Sequence, residues 1–312
     1  MRYPFKVWGF GESIAIHGLL AAGGDAQTYA VNMLRRWAES AGPLADEPLA
    51  HVAPGVPLLD LYRLTGARQL LDRALELATV LAATVTGRHG ARLHRPDLPG
   101  WEREVWVDCM HLDGPFLAHL AQVTGDQHWA DLAASLLLAH ARVLQDERRG
   151  LFSHGFDDAS GQPNRVFWGR GQGWALLGLG DTLAALPNNH PARDEIVQRG
   201  QELADGLRRT EADQPGCWHT VVDAPHTYLE PSVGAFVALG MQGVAGDMAL
   251  ARRALVATER GINAVGELTD VSDATPVGSS VDHYAHRGHG VFPWGQGPAL
   301  LALARAARGE SA

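Results

Sequence analysis

The chain has 312 residues, 46% apolar and 20% charged, with a net charge of -9. That is material for a globular core, and the acidic balance argues against a general nucleic-acid binder while leaving room for an anionic ligand in a locally positive pocket. Two cysteines, Cys109 and Cys217, exclude a disulfide framework and favour a reducing compartment. The start, Met1-Arg2-Tyr3-Pro4-Phe5-Lys6, lacks the apolar segment of a signal peptide, and no stretch reaches the roughly 18 apolar residues of a membrane span. A soluble cytoplasmic protein is expected.

In chain order one pattern recurs: a helix-like segment, a short turn, and a second helix running back. Ile14–Ala22 leads through Gly23-Gly24-Asp25 to Gln27–Ser40. Val56–Leu64 leads through Thr65-Gly66 to Arg68–Thr86, and Trp106–Val123 leads through Thr124-Gly125-Asp126 to His128–Asp146. Gly173–Leu186 pairs with Ala192–Thr210, and Glu230–Met241 with Met248–Gly261. Gln296–Arg308 closes the series alone. Gly66 and Gly125 stand where a helix-closing C′ glycine is expected. Hairpins repeating at about 40 to 65 residues mean a solenoid or a closed ring, and the irregular period favours the ring. Strand signals are scarce; Gly150–His154 and Cys217–Val222 are the two candidates.

The long connections, 41–53, 87–105, 147–170, 211–229 and 263–295, all follow a second helix. They should therefore emerge at one end of the ring, where loops of that length are usually functional. The same end receives the N-termini of the first helices, which present free N–H donors and partial positive charge. Conspicuous residues mark these starts: Trp8 and Glu12, His51, Trp106 and Asp108, Trp168 and Arg170, Tyr228 and Glu230, Trp294 and Gln296. Capping accounts for the carboxylates but not for the added aromatics.

The densest stretch is Phe167-Trp168-Gly169-Arg170-Gly171-Gln172-Gly173-Trp174. Glycine is costly inside a helix, so three at its start point to backbone drawn close to something else. Arg170 and Trp174 are four apart and share a helix face. Arginine offers a planar fork for a carboxylate and tryptophan a flat wall for a sugar ring. The expectation is a pocket for an acidic carbohydrate.

With Trp106-Val107-Asp108, Gly114-Pro115-Phe116-Leu117-Ala118, Ser153-His154-Gly155, the tryptophan-arginine-glycine stretch, Trp218-His219, Tyr228-Leu229-Glu230-Pro231-Ser232 and Gly295-Gln296-Gly297-Pro298-Ala299-Leu300-Leu301-Ala302, the chain resembles the unsaturated rhamnogalacturonyl and glucuronyl hydrolases. The resemblance spans nearly the whole sequence. It implies one (α/α)6-barrel domain over residues 1–312. It also implies hydration of the 4,5 double bond of a terminal unsaturated uronic acid, with Asp108 as the proton donor. Substrate-binding residues implied or expected at the ring mouth are Trp8, His51, His94, His154, Trp168, Arg170, Gln172, Trp174 and Glu230. A general acid must hold its proton near neutral pH; burial against Trp106 acts in that direction, the helix N-terminus and Arg170 act against it, and the sequence does not decide between them. No cofactor or metal is expected.

Two features depart from the family. The second aspartate it usually carries before Ala-Pro-Gly is absent from Leu49-Ala50-His51-Val52-Ala53-Pro54-Gly55, Asp46 lying too far upstream; His51 or Ala50 stands in its place. Eleven ring helices are read where twelve are due, which raises the expectation of a homodimer covering the gap. Asp282, His283, His286 and His289 suggest a histidine-lined wall before a metal site. Cys109 reads as a packed thiol, Glu230 as a hydrogen-bonder holding a helix start, and the glycine-rich stretch lacks the context of a phosphate loop. An (α/α)6 epimerase using His51 with His289, or a catalytically idle carbohydrate-binding relative, are the alternatives.

Overall fold

A computed structural model describes residues 9–40, 42, 44 and 55–309. Six inner helices, α1 (Phe10–Ala22), α3 (Gly55–Thr65), α5 (Cys109–Thr124), α7 (Gly169–Ala185), α9 (Pro231–Ala245) and α12 (Pro293–Ala307), pack side by side in a closed cycle, α12 meeting α1 again. Outside them lie α2 (Gly24–Ser40), α4 (Arg68–Ala82), α6 (Gln127–Leu144), α8 (Arg193–Arg209) and α10 (Met248–Arg260). This is the (α/α)6 barrel. Eleven long helices occur among the described residues, and a twelfth, α11 (Val281–Ala285), is a five-residue turn in the last loop. No described helix is long and apolar enough to cross a membrane.

Inner and outer helices differ because of what they bury. In α7 nearly every side chain is buried, whereas α8 buries only its Ile196, Gly200, Leu203, Ala204, Gly206 and Leu207 stripe. A helix packed all round reads as uniformly apolar; one packed on a single side keeps a charged face. Gly66 (φ 67°) and Gly125 (φ 73°) take the left-handed conformation expected of helix-closing glycines.

The glycine-rich stretch is helical from Gly169, four residues earlier than the pattern suggests. A Cβ on Gly169 would sit 2.8 Å from the His219 carbonyl, and one on Gly173 2.4 Å from the Phe236 ring. The glycines thus let α7 approach its neighbours, and that packing outweighs their poor helix propensity.

Trp106 is not helical as expected. It ends β1 (Glu104–Trp106), which pairs with β2 (Gly155–Asp157); β2 in turn pairs with β3 (Gln162–Pro163). A second small sheet joins β4 (Val271–Ser272) to β5 (His289–Gly290). The two candidate strands found in the sequence form isolated bridges, Gln145 with Phe152, Trp168 with Val221, and His219 with Leu229. Both sheets belong to loops that precede inner helices, so they stand at the barrel mouth.

Candidate active site

Antiparallel pairing sets Trp106 opposite Gly155, and the ladder continues as Val107 N–H donates to the His154 carbonyl at 3.0 Å. Asp108 follows directly, as the residue before α5. Two side chains 46 positions apart are thereby fixed face to face: His154 Nε2 lies 3.5 Å from Asp108 Oδ2. His154 is 0% exposed and Asp108 3%. Neither of these two atoms has a hydrogen-bond partner among the described residues. Burial holds the imidazole below its usual titration range, so His154 is neutral at physiological pH.

Aromatic rings frame the pair. Trp106 meets His154 edge-on at 5.5 Å, and the Trp168 ring lies 4.3 Å away. His94 stacks flat on Trp106 at 3.8 Å. The Trp106 indole N–H donates to Glu104 Oε2 at 2.6 Å, and burial raises the Glu104 carboxyl above its ordinary range.

Arg170 also lies against Trp168, its guanidinium 4.4 Å from that ring. The expected open fork for a substrate carboxylate is occupied internally. Its Nη1 donates to Ser272 Oγ at 2.7 Å and Glu230 Oε1 at 3.3 Å; its Nη2 donates to the Asp273 carbonyl and Thr275 Oγ1. Only Nε lacks a partner among the described residues. Glu230 accepts as well from Ser232 Oγ and the Ser272 N–H, in keeping with its expected role of holding a helix start. Arginine and glutamate together therefore tie the 271–275 loop to the starts of α7 and α9.

Gln172 and Trp174 do not face the pair. Gln172 grips the Phe152 N–H and carbonyl and the Trp168 carbonyl. Trp174 shares the face of Arg170 but lies one turn deeper, about 5.4 Å along the axis. There it packs on Phe236 at 4.5 Å and His111 at 5.3 Å. Trp8 and His51 fall outside the described residues, as does the stretch where the second aspartate is missing.

The 282–289 histidines diverge: His283 contacts the Pro276 carbonyl, His286 the Asp282 carbonyl, and His289 lies against the Tyr228 ring. A tighter cluster escaped sequence reading. Cys109, Asp113 and His140 place ligand atoms within 4.8 Å of one another. Arg92 already binds two of them, donating to Asp113 at 2.7 and 3.0 Å and to Cys109 Sγ at 3.2 Å. A guanidinium in that position repels a cation, so the donor set is an ion pair, not a metal centre. Burial pushes the Cys109 thiol up to about 12, which makes it a packed, unreactive group. Its neighbour His94, 3.7 Å from Sγ, is fifteen positions away and invisible to helix spacing.

Glu104, Asn164, Ser272 and Tyr284 were also missed. Only Glu104 left a signal, since strand alternation puts it on the face of Trp106.

The profile of Glycosyl Hydrolase Family 88 matches residues 8–309. Over 308 residues the chain is 27% identical to the unsaturated rhamnogalacturonyl hydrolase YesR of Bacillus subtilis, covering 95% of this chain and 89% of that one. Its fold is similar to that of a possible member of the GH105 family from Klebsiella pneumoniae, with TM-score 0.85, 24% identity, and coverage of 97% and 83% of the two chains. It is also similar to the unsaturated glucuronyl hydrolase of Bacillus sp. GL1, with TM-score 0.76, 17% identity, and coverage of 99% and 89%.

Proposed function

We propose what this site does from one premise: the chain belongs to Glycosyl Hydrolase Family 88. The reading is hydrolysis of an oligosaccharide that ends in a 4,5-unsaturated uronic acid, as the names of its unsaturated rhamnogalacturonyl and glucuronyl hydrolase relatives suggest. The observation that carries it is Asp108, a buried carboxyl with one oxygen unpartnered, beside a buried histidine that two tryptophans frame. Among the described residues no arginine or lysine pairs with it, which leaves the carboxyl available for chemistry.

In this mechanism Asp108 gives its proton to C4 of the double bond. Water adds at C5, and the carboxylate takes back a proton from that water. The resulting hemiketal opens and releases the aglycone from C1. His94 and His154 with Trp106 and Trp168 shape the sugar subsite and exclude bulk water. Arg170, Gln172, Trp174 and Glu230 act from behind, fixing the wall. Trp8 and His51 remain proposed contacts from outside the described residues.

We take residues 1–312 as one catalytic domain and the cytoplasm as its place, in keeping with two free cysteines. A homodimer covering the eleven-helix ring is part of the same proposal; a monomeric mass in light scattering would count against it.

The test is to mix the protein with an unsaturated rhamnogalacturonyl disaccharide and follow the ultraviolet absorbance of its conjugated acid. Loss of absorbance is expected. Tight binding of unsaturated uronides with no loss would instead favour the idle relative.

A further inference from the structure

We propose that Tyr284 is a positioning residue: its hydroxyl fixes the tautomer of His154 and so decides which oxygen of Asp108 carries the proton. The inference rests on the reading of Asp108 as proton donor, but its geometry stands alone.

The argument is a count of donors around one oxygen. The Gly278 backbone N–H donates to the Tyr284 hydroxyl at 3.0 Å. Asn164 Nδ2 donates to it at 3.2 Å. The orientation of that amide is settled by its other bonds. Asn164 Oδ1 accepts from the Gly155 and Val166 N–H groups, and Nδ2 also donates to the Gly278 carbonyl at 2.8 Å. A hydroxyl oxygen has two lone pairs, and both are taken. The remaining contact, His154 Nδ1 at 2.7 Å, must receive the hydroxyl hydrogen.

It follows that Nδ1 is the acceptor, and the single proton of the neutral ring sits on Nε2. That N–H is on the ring edge nearest Asp108, Nε2 lying 3.5 Å from Oδ2 with no hydrogen bond formed between them in this geometry. A protonated carboxyl then places its hydrogen on Oδ1, because Oδ2 faces a donor. The transferable proton is then held on the oxygen farther from the histidine. After transfer the same N–H meets a full carboxylate. In the opposite tautomer a bare Nε2 would accept the Asp108 proton and sequester it. Tyr284 is 0% exposed, so no solvent competes for its hydroxyl.

The experiment is nitrogen NMR of the intact protein labelled at histidine nitrogens, with His154 assigned by comparison with His154→Gln. The wild type should show Nε2 protonated and Nδ1 bare near neutral pH. Tyr284→Phe should shift His154 toward the Nδ1–H tautomer. Its kcat on an unsaturated uronide should fall roughly tenfold or more, part of the 100-fold or greater contribution of a positioned proton donor, with KM little changed. A wild-type spectrum with the proton on Nδ1 would overturn the proposal whatever the substrate proves to be. A wild-type tautomer kept in Tyr284→Phe would overturn it too. The expected spectra with no turnover of any uronide would leave the tautomer claim standing and sink the reading of the reaction instead.

Discussion

Helix α5 carries two buried aspartates with opposite surroundings. At its mouth end Asp108 is 3% exposed, and one carboxylate oxygen has no partner among the described residues. One turn and a half further in, Asp113 is 1% exposed and both its oxygens accept from the Arg92 guanidinium. Burial and residue type are the same, and only the partner differs. A carboxylate met by a bidentate arginine is holding the structure together. A buried carboxyl with no arginine partner, beside a buried histidine, is the one we propose serves chemistry. The buried arginines make the same point, since Arg92 and Arg170 are both consumed by internal partners.

Substitution should separate the two aspartates cleanly. Asp113→Asn has the largest expected effect. It leaves Arg92 buried and uncompensated, at about 3–5 kcal/mol of stability, a large part of a typical total. Chemical denaturation should show it as a lowered midpoint, and activity per folded molecule should survive.

Asp108→Asn should do the reverse. Turnover should fall by roughly 100-fold or more, while the denaturation midpoint stays put or rises. An Asp108→Asn protein that unfolds early would erase the contrast between the two positions.

His111 lies between the aspartates on α5, and His17 faces it from α1. Burial holds both imidazoles down to about 3. The unfolded chain binds protons at these residues below about pH 6.5 and the folded chain does not, so stability rises with pH across that window and is lost as pH falls from 6.5 toward 3. Each should contribute about 1–3 kcal/mol of that loss. Thermal unfolding at stepped pH checks the slope, and His111→Gln should flatten part of it.

The smallest effect is expected from replacing the ion pair whole. Arg92→Met with Asp113→Leu removes both charges and should leave stability within about 1 kcal/mol of wild type, in contrast to Asp113→Asn alone. A double variant as unstable as the single one would mean that the pair does more than neutralise itself.

The ring was legible because its signals are local. Helical periodicity, Gly66 and Gly125 at helix ends, and loops recurring on alternate connections each need only neighbouring residues. Asp108, His154 and Trp168 were singled out together through the family resemblance, and the structure brings them close to one another. Their contact was not legible, because a β1–β2 ladder links them across 46 positions. The internal partners of Arg170, Gln172 and Trp174 were hidden for a related reason. Their residue types suit a sugar, yet the partners that claim them, Ser272, Phe152 and Phe236, lie on other elements. Tyr284 carried no signal, because its role depends on hydrogen bonds from Asn164 and Gly278 that only the folded loop assembles.

The central claim is that Asp108 delivers a proton to C4 of an unsaturated uronide. The most direct measurement is to run the hydrolysis in deuterium oxide and read the product by NMR. One solvent deuteron should appear at C4 of the released deoxy sugar with the wild type, and no product should accumulate with Asp108→Asn on the same timescale. Cleavage with C4 free of deuterium, or unchanged turnover by Asp108→Asn, would contradict it.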